Sequence, residues 1–213
     1  MSHPKRIFLA TLFSTTFASH GSLIITGVYD GPLSGGTPKG IELFATADIA
    51  DLSIYAVGSA NNGGGSDGEE FTLSGSATVG QFLYVATESP QFDIFFGILP
   101  DFTSGAMSIN GDDAVELFQN GGVIDVFGDI NTDGTGEPWD HLDGWAYRKD
   151  GTGPDGTSFN LGNWTFSGIN AFDGETSNAS AATPMPIGSY SVPEPSSALL
   201  GGIALLGLIR RRR

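Results

Sequence analysis

The chain has 213 residues, no cysteine, and 24 acidic side chains against 9 basic ones, for a net charge of −15. That balance repels nucleic-acid phosphates and anionic lipid, and the lack of cysteine removes disulfides and thiolate metal sites from consideration. The length suffices for one domain with its own core.

Residues 1–18 carry a basic start (Lys5, Arg6), an apolar run from Ile7 and small residues at Thr16 and Ala18. This is the layout of a secretory signal peptide, with cleavage expected after Ala18 or Gly21. Four more of the basic residues are Arg210, Arg211, Arg212 and Arg213, so the body keeps Lys39, Arg148 and Lys149. Against these three cations stand 23 acids, leaving Glu194 to the tail, a body charge of −20.

From residue 22 the body reads as sheet. Short β-branched or aromatic runs at 22–30, 40–47, 51–60, 69–77, 81–88, 113–121, 122–129, 144–150 and 163–167 are separated by Gly, Asn, Asp and Ser. That spacing predicts an all-β sandwich or barrel over 22–168. Alternation in Ala114–Phe118 predicts a strand with one drier face, and Asn120-Gly121 supplies a positive-φ hairpin turn to the next. One helix is expected near 90–96: Ser89 as cap, Pro90 at the first position, Phe92, Phe95 and Phe96 on one face, and Gly97 as the stop. The glycine-rich stretches 59–70 and 149–156 read as solvated loops and candidate recognition loops. Trp139, Trp145 and Trp164 read as core or loop-anchoring residues, although an exposed one could stack on a sugar.

The stretch DINTDGTGEPWD places Asp129, Asn131 and Asp133 at alternate positions, then Gly134, Thr135, Glu137 and, at the twelfth position, Asp140. This is the spacing of an EF-hand-type calcium loop with Asp in place of the closing Glu. Thr135 would act through its carbonyl and Glu137 through water. The same residue types suit an exposed loop whose Asx side chains satisfy local turns, and Pro138-Trp139 opposes a regular exiting helix. Residues 169–191, rich in Ser, Ala, Thr, Asn and Pro without hydrophobic period, are expected to form a flexible linker.

The chain ends with Pro193-Glu194-Pro195, a small or apolar stretch over 196–209, and the four arginines. As a helix that stretch reaches about 20 Å, short of the ~30 Å hydrocarbon core, and the arginines would stay cytoplasmic. Residues 192–213 closely resemble the PEP-CTERM sorting signals of Gram-negative bacteria. The resemblance implies transient insertion in the inner membrane through a short C-terminal hydrophobic sorting helix. It also implies processing by an exosortase, in bacteria that secrete exopolysaccharide. The body also resembles bacterial lamin-tail domains, in Gly40–Leu43, Asp51-Leu52 and Gly111–Asp113 ahead of the central hairpin. That second resemblance, over roughly 23–168, implies an immunoglobulin-like β-sandwich used for interaction rather than catalysis.

Few residues point to an enzyme. His141 is the one histidine certain to stay with the body, and it is expected on a surface or loop; no Gly-x-Ser-x-Gly elbow, Walker loop or His-Glu-x-x-His pattern is present. The reading is an exported, non-catalytic module of the cell surface or exopolysaccharide matrix, with calcium and exopolysaccharide as candidate ligands. The alternative is a secreted hydrolase with paired carboxylates, acting on polysaccharide or phosphoester.

Overall fold

The structure, a computed structural model, describes residues 22–193. The expected signal peptide and all of the sorting tail beyond Pro193 lie outside the described residues. Ten strands are described: β1 (Leu23–Leu33), β2 (Thr37–Ala45), β3 (Tyr55–Ala60), β4 (Phe71–Thr72), β5 (Phe82–Ala86), β6 (Phe102–Thr103), β7 (Ala114–Gln119), β8 (Gly122–Phe127), β9 (Trp145–Arg148) and β10 (Trp164–Phe166). A single short α-helix, α1 (Pro90–Phe96), accompanies them among the described residues. One sheet has six strands in the order β10-β9-β1-β2-β5-β6 and the other four, β4-β3-β7-β8. The expected all-β sandwich is what forms. β6 was not expected; two residues pairing parallel with β5 are too short to show alternation.

Between the sheets, Leu23, Ile25, Val28, Ile41, Leu43, Val57, Val85, Val115, Leu117 and Phe127 form the main core. A second cluster, with Ile24, Tyr29, Phe44, Phe92, Phe95, Trp145, Phe172, Met185 and Tyr190, covers the other face of the six-stranded sheet. That sheet is therefore buried on both sides, which is why β1 reads as nearly continuous burial. Inward residues change parity along β1, from Leu23 and Ile25 to Val28. The cause is a bulge: Ile25 pairs with Leu43 but Gly27 with Glu42, leaving Thr26 as the extra residue.

Other expectations are met or corrected locally. Asn120 and Gly121 take φ of 51° and 80° and close the two-residue hairpin between β7 and β8. Helix α1 forms with Pro90 in its first turn and stops at Gly97 (φ 74°). Its cap differs: the Ser89 side chain makes no capping bond, and the Gln91 N–H donates instead to Glu88 Oε2 at 2.8 Å. β7 has no wet face, since Glu116 and Phe118 are buried as well as Val115 and Leu117. The end of the 59–70 segment lies against β3. Glu70 Oε2 accepts the Ser59 N–H at 2.6 Å, and the Gly68 carbonyl sits so close to Gly58 that no Cβ would fit there. The stretch is otherwise solvated as expected, residues 61–70 being exposed or half-buried.

The flexible linker is the largest correction. Residues 169–191 form a strap of turns over the outer face, with Phe172, Ala181, Met185 and Tyr190 buried. Its order comes from isolated anchors joined by polar turns, so no hydrophobic period could reveal it. Asn178, itself buried, bonds both the N–H and the carbonyl of Met185, at 2.8 and 3.0 Å, and Trp145 Nε1 donates to the Thr183 carbonyl at 2.9 Å.

Candidate functional site

The strap is fastened by a buried carboxylate. Glu42, in the middle of β2, is fully buried. Its Oε1 accepts the Thr26 hydroxyl and the Tyr147 hydroxyl, each at 2.7 Å, and its Oε2 accepts the Gly188 N–H at 2.6 Å. The Tyr147 oxygen in turn accepts the N–H groups of Ser189 and Tyr190, both at 3.0 Å. Burial raises the Glu42 pKa above its usual 4.5, against the opposing pull of Tyr147, Gly188, Thr26 and Tyr84. Beyond Tyr190, whose hydroxyl donates to the Thr152 carbonyl, Ser191 pairs with the 150–151 backbone and with Asp150 Oδ1. The packed chain therefore continues to within two residues of Pro193, the first residue of the expected sorting motif and the last one described. Glu194, Pro195 and Arg210 to Arg213 lie outside the described residues.

The same bulge serves the inner face. Ile25, which borders the bulge, donates its N–H to Asp125 Oδ2 at 2.9 Å, and its carbonyl accepts Arg148 Nε. Arg148 Nη2 meets both Asp125 oxygens at 2.8 Å, and Nη1 meets Asp155 at 3.0 Å. The guanidinium lies over the Trp164 ring, 4.4 Å from its centre. Asp155 belongs to the 149–156 stretch, so that expected solvated loop instead delivers a nearly buried carboxylate to the interior. Of the body cations, Lys39 also forms an ion pair, with Asp30 at 2.8 Å.

The acidic loop does not assemble as its spacing suggested. Asp129 Oδ1 accepts the Asn131 N–H and its Oδ2 the Thr132 hydroxyl, both at 3.0 Å. Asp133 Oδ1 accepts the Thr135 N–H at 3.0 Å, and Asp140 accepts the N–H groups of Gly136 and Leu142. These are Asx turns, each acid serving its own neighbourhood; for Asp133 those bonds to Thr135 hold the carboxyl below its usual range. Glu137 is exposed, and the Thr135 hydroxyl goes to Asp112. Among the described residues no group of three or more His, Asp or Glu side chains is placed to hold a metal ion. Gly134 is not at positive φ, as the sharp turn of a calcium loop would ask. It is glycine because a Cβ there would come within 2.5 Å of the Trp139 ring and 2.7 Å of the Asp112 carbonyl. The donor set in this arrangement does not fit a calcium cage.

His141, expected at the surface, is fully buried with its ring edge-on to Phe127 at 5.2 Å. Burial lowers its pKa below 6.5, against the opposing pull of the Trp139 carbonyl and of Asp30, Asp140 and Asp112. Its Nε2 is buried without a hydrogen-bond partner among the described residues. Trp139, Trp145 and Trp164 are all buried, in the core role rather than as sugar platforms.

Two grooves mark the described surface. One, of about 400 Å³, lies between the end of β8 and residues 157–159, and Asp129 is the sole carboxylate in its lining. The other, of about 460 Å³, runs beside Phe44, Val79, Phe82 and Tyr190 to Val192 and Pro193, and no acid lines it. Neither presents a pair of facing carboxylates.

Glu42, Tyr147, Asp125 and Arg148 were not singled out by sequence reasoning as a structural set. The available signals were an acid inside the apolar run Ile41–Phe44 and one of three body cations inside a strand.

Residues 191–213 match the PEP-CTERM protein-sorting motif. The chain therefore carries a bacterial signal for export to the cell envelope or extracellular space and for processing by an exosortase. No curated protein and no solved structure matches the chain.

Proposed function

We propose that the mature protein is the whole sandwich with its strap, freed from its sorting tail and acting without catalysis as a binding or structural module of the exopolysaccharide matrix of a Gram-negative bacterium. The observation that carries this reading is continuity. Packed structure runs through Tyr190 and Ser191, so cleavage after Pro193 leaves every described contact of the strap in place. The likeness of 23–168 to lamin-tail interaction modules belongs to the same proposal, and a sandwich is the architecture it calls for. Transient membrane insertion of 196–209, clamped by Arg210 to Arg213, completes it.

Mass spectrometry of material from the matrix fraction tests the reading. The expected N-terminus lies near Ser19 or Ser22 and the expected C-terminus near Pro193–Pro195. Recovery of intact Arg213 would sink the processing step. Neutral replacements of the four arginines are expected to leave unprocessed protein in the membrane fraction.

A further inference from the structure

The groove at the end of β8 is built in two parts. Its floor is apolar, from Val126, Ile130 and Phe159. The Phe159 ring is fixed by Phe127, Trp139 and Trp164 at centroid distances of 5.4, 6.3 and 6.5 Å, so the floor is rigid. The rim is polar, from Asp129, Asn131, Thr157 and Ser158, all exposed. The Asn131 amide and the Thr157 and Ser158 hydroxyls are not engaged by other described side chains or backbone, while the Asx and hydroxyl bonds of Asp129 fix its carboxylate in orientation.

We propose that this groove binds a neutral saccharide. A pyranose has apolar C–H faces and an equatorial belt of hydroxyls that both donate and accept. A fixed apolar floor within a ring of amide, hydroxyl and carboxylate groups complements both features. The volume of about 400 Å³ falls in the usual range for small-molecule sites, about 300–1,000 Å³. No basic residue lines the groove, and Asp129 sits on its rim within a strongly acidic body. Phosphate, sulfate and uronate groups would therefore meet uncompensated repulsion, which narrows the class to uncharged sugars. Rigidity of the floor limits the ordering cost of binding. The inference rests on the binding-module reading above and specifies its ligand class and contact residues.

The test is affinity electrophoresis of the exported, processed protein in native gels cast with neutral glucan, mannan or galactan, and with polygalacturonate. Retardation is expected in at least one neutral gel and not in polygalacturonate. The double variant Asn131→Ala/Ser158→Ala is expected to weaken the interaction by about tenfold or more, with its melting temperature unchanged. The proposal is overturned by retardation in no neutral gel, by equal retardation in polygalacturonate, or by a double variant that migrates as the parent does. Matrix recovery separates the two readings. Protein held in the matrix but retarded in no neutral gel refutes the groove alone, whereas protein absent from the matrix refutes the module reading itself.

Discussion

Arg148 on β9 crosses the sandwich to meet both carboxylate oxygens of Asp125 on β8, each at 2.8 Å, with both side chains fully buried. The contact joins the two sheets through a charge pair rather than through apolar packing. Removing one partner leaves the other charged and out of water.

Arg148→Met and Asp125→Ala are therefore each expected to cost about 3–5 kcal/mol in urea unfolding. Replacing both, Arg148→Met with Asp125→Leu, is expected to cost less than the sum of the single changes. Additive losses would show that the pair is not coupled.

The strap is part of the folded unit. A chain ending at residue 168 loses Phe172, Met185 and Tyr190 and takes the Gly188, Ser189 and Tyr190 N–H groups from Glu42 and Tyr147; it is expected to unfold or aggregate. A chain ending at Pro193 is expected to melt with the full mature protein. Tyr190→Ala alone should cost about 3–5 kcal/mol. Equal melting of the 168 and 193 truncations would make the strap dispensable.

Two buried groups give opposing pH slopes. The raised pKa of Glu42 means that the folded state holds its proton more tightly than the unfolded state does. Its charging penalty is absent below about 4.5 and grows as pH rises through the folded value. His141 has a lowered pKa, so its contribution is complete above about 6.5 and is lost as pH falls through that window. Glu42→Gln should accordingly gain stability relative to the parent as pH rises above about 4.5, while retaining the acid-side loss due to His141. A pH-independent difference between the two proteins would refute the Glu42 assignment.

Calcium is expected to raise the melting temperature no more than sodium does at matched ionic strength, because the aspartate carboxylates of the acidic loop are each engaged in local turns. Gly134→Ala, by contrast, is expected to destabilise by about 1–3 kcal/mol with or without calcium, since its Cβ collides with Trp139 and the Asp112 backbone. A calcium-specific gain that Asp133→Ala abolishes would restore the cage read from the spacing.

What the sequence determined by itself was set by local periodicity and by short contiguous signals. Strand runs broken by Gly, Asn and Asp, the Asn120-Gly121 hairpin, the Pro90–Gly97 helix and the sorting motif each depend on residues within a few positions of one another, so they were legible without contacts. Tertiary structure alone decided the rest. Glu42 binds Gly188 across 146 positions and Asp125 binds Ile25 across 100, distances over which sequence carries no pairing rule. The strap looked like a linker because its order comes from such contacts rather than from its own pattern. The acidic loop looked like a calcium site because spacing constrains which residues occur, not where their oxygens point. Once Trp139 packed against Gly134, each acid closed a turn of its own instead of converging on one centre.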